Sequence, residues 1–307
     1  MRAKRILICD PIHEDGVEIL KRAGFEVDVK LSTTQGELVK AIGGYDAIVV
    51  RSGTQVTAQI FEAGKRLRAV ARSGVGLDNI DLEAAARRGV EVVNSPEASS
   101  NAVAELALGM MLSLAHKIVE ADASMKRGEW AKGGLTGFEL RGRTLGIIGF
   151  GRVGRALSEK AANLGVRVLT LNRNIERGSR QLEKGNVEAV PFEELLAASD
   201  FVSLHVPLRP DTRHMIGREQ LRAMKDGAFL INTSRGGVVD EEALREALVN
   251  GKLAGAALDV YEREPPADTS LTGLANVVCT SHIGASSMEA QRANSIIVTE
   301  KLVRILS

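Results

Sequence analysis

Cysteine is nearly absent: Cys9 and Cys279 are the only two in 307 residues, far apart and outside any CxxC spacing. That argues against a disulfide framework or a zinc pattern and reads as two reduced, buried thiols in a cytoplasmic protein. Charge of one sign is also missing, because 40 Lys and Arg nearly cancel 39 Asp and Glu. Nothing in that balance attracts nucleic acid or an anionic membrane surface, so a small-molecule partner is expected. Long hydrophobic runs are lacking too. The apolar part of MRAKRILICDPIHED is too short for a secretory signal, and VAELALGMMLSLA is broken by Glu105 and falls short of the about 20 residues that span a bilayer. What is present is ordinary globular composition, 44% hydrophobic and 26% charged, with material for one large or two medium cores.

Short β-branched runs alternate with helical patterns almost from end to end. RILIC, FEVDV, AIVV, LRAVA and VEVV come first, and TLGIIG, VRVLTL, FVSLHV, AFLINTS, AGAALDV and NVVCTS follow. Such alternation marks βαβ units around parallel sheets, so five strands are predicted in one sheet and six in another. Between the two series, residues 99 to about 127 carry the longest helical pattern, opened by serines and Asn101 as capping residues. The closing SSMEAQRANSIIVTEKLVRILS is helical as well and is expected to pack back on the first sheet. The predicted organisation is an α/β protein of two doubly wound parallel-sheet domains. Residues 1–98 and 286–307 form the first and 99–285 the second, with a cleft and a hinge between them.

The clearest motif is Gly149, Gly151 and Gly154 in G-x-G-x-x-G, directly after an apolar strand and directly before a helical pattern. Glycines often mark a plain turn, but in this context each has a task. Gly149 allows the tight turn, Gly151 lets the backbone approach a pyrophosphate, and Gly154 lets helix and strand pack closely. The acidic residue expected about 20 positions on, at the adenosine ribose, is replaced by Asn172, with Arg173 beside it. A carboxylate that would repel a 2′-phosphate is thus missing and a guanidinium is near, so NADP stays open beside NAD. The alternative is an Asn172 that still bonds an NAD ribose and an Arg173 that is only solvated.

Three consecutive strand ends then offer ionisable groups. AFLIN ends at TSRGG and supplies Arg235, AGAALDVYEREPP supplies Asp259 and Glu264, and NVVCTSHIGAS supplies His282 beside Gly284. Ligands of doubly wound sheets sit outside the carboxyl ends of strands, which places these side chains at a ligand site. A guanidinium holds a carboxylate by paired hydrogen bonds, an imidazole moves a proton near neutral pH, and a carboxylate orients the imidazole. Taken singly, a strand-end His or Arg is more often structural, and Glu264 before two prolines could simply face solvent. The conjunction favours oxidation of a 2-hydroxy acid or reduction of a 2-keto acid, with a nicotinamide carrying the hydride.

These stretches, with VVRSGTQVT, ARSGVGLDNIDLEAAARRGVEVVNSPEASSNAVAELALGMML and LHVPLRPDTRHMI, resemble the D-isomer-specific 2-hydroxyacid dehydrogenases, in family order and over essentially the whole chain. The resemblance is strongest to members that oxidise 3-phosphoglycerate. It implies a Rossmann cofactor domain inserted into a flavodoxin-like substrate domain, with Arg235, Glu264 and His282 as the catalytic trio and His282 as the acid/base. It further implies a substrate carboxylate on the backbone amides of Ser73, Gly74, Val75 and Gly76, consistent with a glycine-rich anion nest. Cofactor contacts are implied at the glycine motif, Arg152, Val153, Asn172, Arg173, Val206, Pro207, Thr212, Thr233, Ser234, Asp259 and Gly284. Arg51 and Arg72, at strand ends of the first domain, match arginines of the phosphoglycerate members and are candidate phosphate ligands.

Rivals within the resemblance are a glyoxylate or hydroxypyruvate reductase and, less favoured because Glu264 is present, a formate dehydrogenase. A non-enzymatic corepressor of the same fold is disfavoured because no disordered tails are seen. Ser281 departs from the family's usual proline before the histidine, and serine feedback through appended domains is not expected. Family members pair through the helix from Asn101 and the arm containing Trp130, so a homodimer through about 101–140 is predicted. Neither a metal, a membrane nor nucleic acid is called for.

Overall fold

The computed structural model describes residues 3–171 and 187–307. The chain divides into two compact units, one of residues 1–100 and 285–307, the other of residues 101–284.

In the first unit, β1 (Arg5–Ile8), β2 (Glu26–Val29), β3 (Ala47–Val50), β4 (Ala69–Arg72) and β5 (Glu91–Asn94) form one parallel sheet in the order β2-β1-β3-β4-β5. Side chains alternate across a strand, and here both faces are covered. Ile6, Ile8, Ala47, Val49, Ala69 and Ala71 pack on one face with Val298, Leu302 and Leu306 of the helix Met288–Leu306. Leu7, Ile48, Val50 and Val70 face the other way, toward Leu38, Ile60 and Phe61. Burial on both faces is why these strands read as unbroken apolar runs. The terminal helix packs on this sheet and is capped by Ser287, whose side chain accepts from the Ala290 amide at 3.1 Å.

In the second unit, β6 (Thr144–Ile148), β7 (Arg167–Leu171), β8 (Val187–Val190), β9 (Phe201–Leu204), β10 (Ala228–Asn232), β11 (Leu253–Leu258) and β12 (Val277–Cys279) form a parallel sheet in the order β12-β11-β10-β9-β6-β7-β8. Seven strands stand where six were predicted. The extra one is VEAV, whose single turn-length run with a central glutamate carries little period-2 signal, although Val187, Ala189 and Val190 are buried. The strand order reverses between β6 and β9, which is the switch point where doubly wound sheets receive ligands.

The predicted single helix over 99–127 is two, Ser100–Ala115 and Ile118–Lys126, bent by 67°. Lys117 takes the left-handed conformation (φ 53°) and ends the first helix. The first helix is also shorter than the 19-residue Met288–Leu306, so it is not the longest in the chain. Its Met110 and Met111 are buried, and Leu106, Leu108, Leu112 and Leu114 pack partly buried on the core of their own unit. Most of the apolar surface of this helix is therefore covered within its own unit. Among the described residues no single helix is long and apolar enough to cross a membrane. Cys9 is buried as predicted, and burial pushes its thiol up to about 12; Cys279, at the end of β12, is exposed instead.

Candidate active site

The glycine motif sits at the switch point. Gly149, just past β6, has φ +103°, and a side chain there would collide with the His205 carbonyl after β9. Only glycine satisfies both demands. Gly154 lies on the helix Arg152–Asn163, where a Cβ would strike the Gly149 carbonyl and Ile147. Gly151 caps that helix without a side-chain hydrogen bond, and nothing lies within 4 Å of where its Cβ would project. The first turn of a helix leaves its amides unpartnered and carries partial positive charge, so this end is built to receive an anion. A further sign is Thr233 at the end of β10, whose buried hydroxyl has no hydrogen-bond partner among the described residues. Glycine loop, uncapped helix and orphaned hydroxyl fit a dinucleotide.

Other predicted cofactor positions differ in availability. Arg152 is exposed and Val153 half-buried, and Val206 packs against Gly149. The Thr212 hydroxyl is spent on its own loop, donating to the Pro207 carbonyl at 2.7 Å and accepting from the Arg209 amide at 2.8 Å. Ser234 is likewise tied to Asn232, whose Oδ1 accepts its amide and hydroxyl. Asn172 and Arg173 lie outside the described residues.

Arg235, Glu264 and His282 follow β10, β11 and β12, three neighbours in the sheet. His282 Nδ1 and Glu264 Oε2 are 2.7 Å apart, both side chains about two-fifths exposed. Burial raises the Glu264 carboxyl, but the hydrogen bond and charge of His282, the Tyr261 amide and the charge of Arg235 outweigh it and hold it below the usual glutamate range. Glu264 is therefore an ionised acceptor, so His282 Nδ1 carries the hydrogen between them, and in the neutral ring Nε2 carries the lone pair. Arg235 is placed by Asn232, whose Nδ2 donates to the Arg235 carbonyl at 2.9 Å, and its own guanidinium donates to the Ser234 carbonyl at 2.7 Å. Asn232, buried at the strand end, thus has both its side-chain oxygen and nitrogen engaged in the turn.

Two supports were not legible as such. Asp259, almost fully buried at the end of β11, accepts from the Thr280 hydroxyl at 2.6 Å and from the Ile283 and Gly284 amides at 2.7 and 2.8 Å. Its carboxylate thereby holds the turn that carries His282, whose φ is +55°. Proline is not needed at exposed Ser281 for that purpose. Glu241 and Glu262 exchange bonds, each carboxylate taking the other's amide at 2.7 and 3.2 Å, which ties the loop before Glu264 to the helix Glu241–Val249. Burial and the neighbouring carboxylates push Glu241 up despite the amide it accepts. Reciprocal carboxylate–amide bonds between distant residues leave no spacing in the sequence.

In the first unit, Val50 and Arg72 are register partners, so Arg51 and Arg72 end adjacent strands. The Arg51 amide donates to Asp10 at 2.5 Å and its guanidinium lies 3.4 Å from the Pro11 carbonyl; the Arg72 guanidinium lies over Gly74. The predicted nest is smaller than four amides. Ser73 donates to the Val50 carbonyl at 2.8 Å and Gly74 to the Ser95 hydroxyl at 3.0 Å, leaving the amides of Val75 and Gly76.

A switch-point glycine loop opening a helix, with an imidazole–carboxylate pair at neighbouring strand ends, defines a dinucleotide-binding dehydrogenase. The profile described as D-isomer specific 2-hydroxyacid dehydrogenase, NAD binding domain, matches residues 108–284. A D-3-phosphoglycerate dehydrogenase of Methanocaldococcus jannaschii is 48% identical over 98% of this chain, which spans 57% of that relative's length. A hydroxypyruvate reductase of Thermotoga maritima is 44% identical over the whole chain and 99% of its own. A crystal structure of a Thermus thermophilus protein superimposes with a TM-score of 0.90 at 36% identity, covering 98% of this chain and 96% of that one. The chain belongs to the D-isomer-specific 2-hydroxyacid dehydrogenases.

Proposed function

We propose that this chain oxidises a D-2-hydroxy acid to the 2-keto acid and catalyses the reverse, with 3-phosphoglycerate as substrate in the first oxidation step of serine synthesis, in the cytoplasm. The observation that carries the reading is the 2.7 Å contact of His282 with an ionised Glu264 beside the dinucleotide loop's sheet edge. A bound NAD would supply the hydride acceptor. Gly149, Gly151 and Gly154 with Arg152, Val153, Thr233 and the end of β9 would hold it. His282 Nε2 takes the hydroxyl proton while Glu264 keeps the ring oriented and compensates the charge it gains. Arg235 fixes the substrate by charge-assisted bonds. Val75 and Gly76 receive the carboxylate on their amides, and Arg51 and Arg72 take the phosphate.

A phosphoglycerate dehydrogenase at 48% identity supports the substrate. A second reading, reduction of hydroxypyruvate or glyoxylate, is favoured by the 44% identity to a hydroxypyruvate reductase. Steady-state rates on 3-phosphoglycerate, hydroxypyruvate and glyoxylate with NAD(H) and NADP(H) separate the two. If neither Arg51→Ala nor Arg72→Ala raises the KM for 3-phosphoglycerate, the phosphate assignment falls.

A homodimer is part of the proposal. Trp130 is 79% exposed, and Ile118, Val119 and Met125 are each about half exposed on and beside the helix Ile118–Lys126. Light scattering on Trp130→Glu should show a monomer where the native chain is a dimer.

A further inference from the structure

The two available amides of the nest are aimed from behind. The Gly74 carbonyl accepts from the Ser95 amide at 3.0 Å, and the Val75 carbonyl accepts from Asn94 Nδ2 at 2.6 Å. In a planar trans peptide the carbonyl and the following N–H point in opposite directions. With the Gly74 and Val75 carbonyls held against the end of β5, the Val75 and Gly76 amides must face away from it, and among the described residues neither takes an intramolecular acceptor. Asn94 and Ser95 are themselves held. The Ser95 hydroxyl, fully buried, lies 2.5 Å from Asn294 Oδ1, and Lys301 Nζ donates to the Asn94 carbonyl at 2.7 Å. Ser95 has one hydrogen to give. At 2.5 Å it goes to Asn294, itself almost fully buried, which leaves the Ser95 lone pair for the Gly74 amide at 3.0 Å.

We infer that Asn94 and Ser95, braced by Asn294 and Lys301 of the terminal helix, are positioning residues that aim the Val75 and Gly76 amides at the substrate carboxylate. This rests on the proposed reading of the nest as a carboxylate site. None of the four touches substrate. They act by fixing two peptide planes, so their loss reorients donors without removing them.

The test is kinetic. In Asn94→Ala and Ser95→Ala the KM for both 3-phosphoglycerate and hydroxypyruvate should rise about tenfold, the equivalent of one hydrogen bond to a charged group, with kcat and the Kd for NADH changed less than about twofold. Ser95→Thr, which keeps the hydroxyl, should recover most of the loss. A purely structural role predicts instead a lower Tm and less active enzyme at unchanged KM, and that result overturns the inference. So does a rise in KM for the phosphorylated substrate alone, which would place the effect at Arg51 and Arg72. Asn94 is only half-buried, so its variant folds even if Ser95→Ala does not. Val75→Pro, which deletes one amide, separates the two levels. Unchanged KM in a folded Val75→Pro overturns the carboxylate reading itself, whereas raised KM there with native KM in Asn94→Ala overturns only the positioning. Turnover of neither substrate by the native chain overturns both.

Discussion

Asp259 and His282 are joined through backbone and side chain together: the His282 amide donates to the Asp259 carbonyl at 2.8 Å, and the Asp259 carboxylate gathers the next two amides. The imidazole is thus displayed on a left-handed turn by a buried carboxyl group with hydrogen-bond donors on both oxygens. A buried carboxyl group in that position is tolerated because its hydrogen-bond donors replace water.

Asp259→Asn should therefore displace His282. The amide nitrogen of Asn faces a backbone N–H, two donors in contact, and the turn must move. A shift of the order of 1 Å at a reacting group lowers turnover about 100-fold. The check is kcat with Tm measured in parallel, and a kcat within threefold of native would show that the turn holds without the second acceptor oxygen.

Glu264→Gln keeps the shape and removes the charge that the imidazolium needs, so kcat should fall by about 10²–10⁴-fold. Glu264 sits below the ordinary glutamate range in the folded protein. A depressed carboxylate contributes its pairing above its unfolded value and loses it as pH falls through the folded one. Loss of activity through Glu264 should accordingly begin only below the ordinary range near 4.5. A kcat/KM profile for 2-keto acid reduction, the direction that uses the protonated imidazole, carried down to that region reads it, provided the enzyme stays folded.

The three glycines should separate stability from binding. Gly154→Val forces a side chain into the Gly149 carbonyl and should destabilise the fold by about 1–3 kcal/mol or prevent folding. Gly151→Val projects into open space with φ near −81°, which any residue adopts, so Tm should stay near native. The Kd for NADH should nevertheless rise about tenfold or more, as expected when an anion loses a charge-assisted bond. Equal effects of the two on stability would contradict this division.

His205, at the end of β9, has its imidazole pushed down to about 4 by burial, with Ser203 Oγ 2.9 Å from Nε2. The unfolded chain therefore binds a proton that the folded chain refuses between about 6.5 and about 4. Stability should be full above the upper value and fall as pH drops through that window. His205→Asn should flatten this part of the curve of Tm against pH; a curve parallel to the native one would assign the acid sensitivity elsewhere.

Parallel α/β strands, the glycine loop and the position of Arg235, Glu264 and His282 at neighbouring strand ends were legible because each leaves a local trace. A strand covered on both faces must be apolar throughout, as AIVV is; a loop that passes under a carbonyl must be glycine, as Gly149 is; side chains that meet a ligand of a doubly wound sheet lie beyond the strand ends, where His282 is. Where the trace is weak the reading failed. VEAV has too short a period to register, and no pattern between 99 and 127 announces that Lys117 turns left-handed and divides the helix.

What the order of residues determined by itself is therefore the sheets, the switch-point loop and the kinds of side chain brought to their edges, since these depend on periodicity and on the stereochemistry of single residues. Only the tertiary structure decided which nest amides remain available, which carboxylate pins the His282 turn, and that Asn294, 199 residues away from Ser95, braces the end of β5. Those outcomes rest on hydrogen bonds between groups that folding alone makes neighbours.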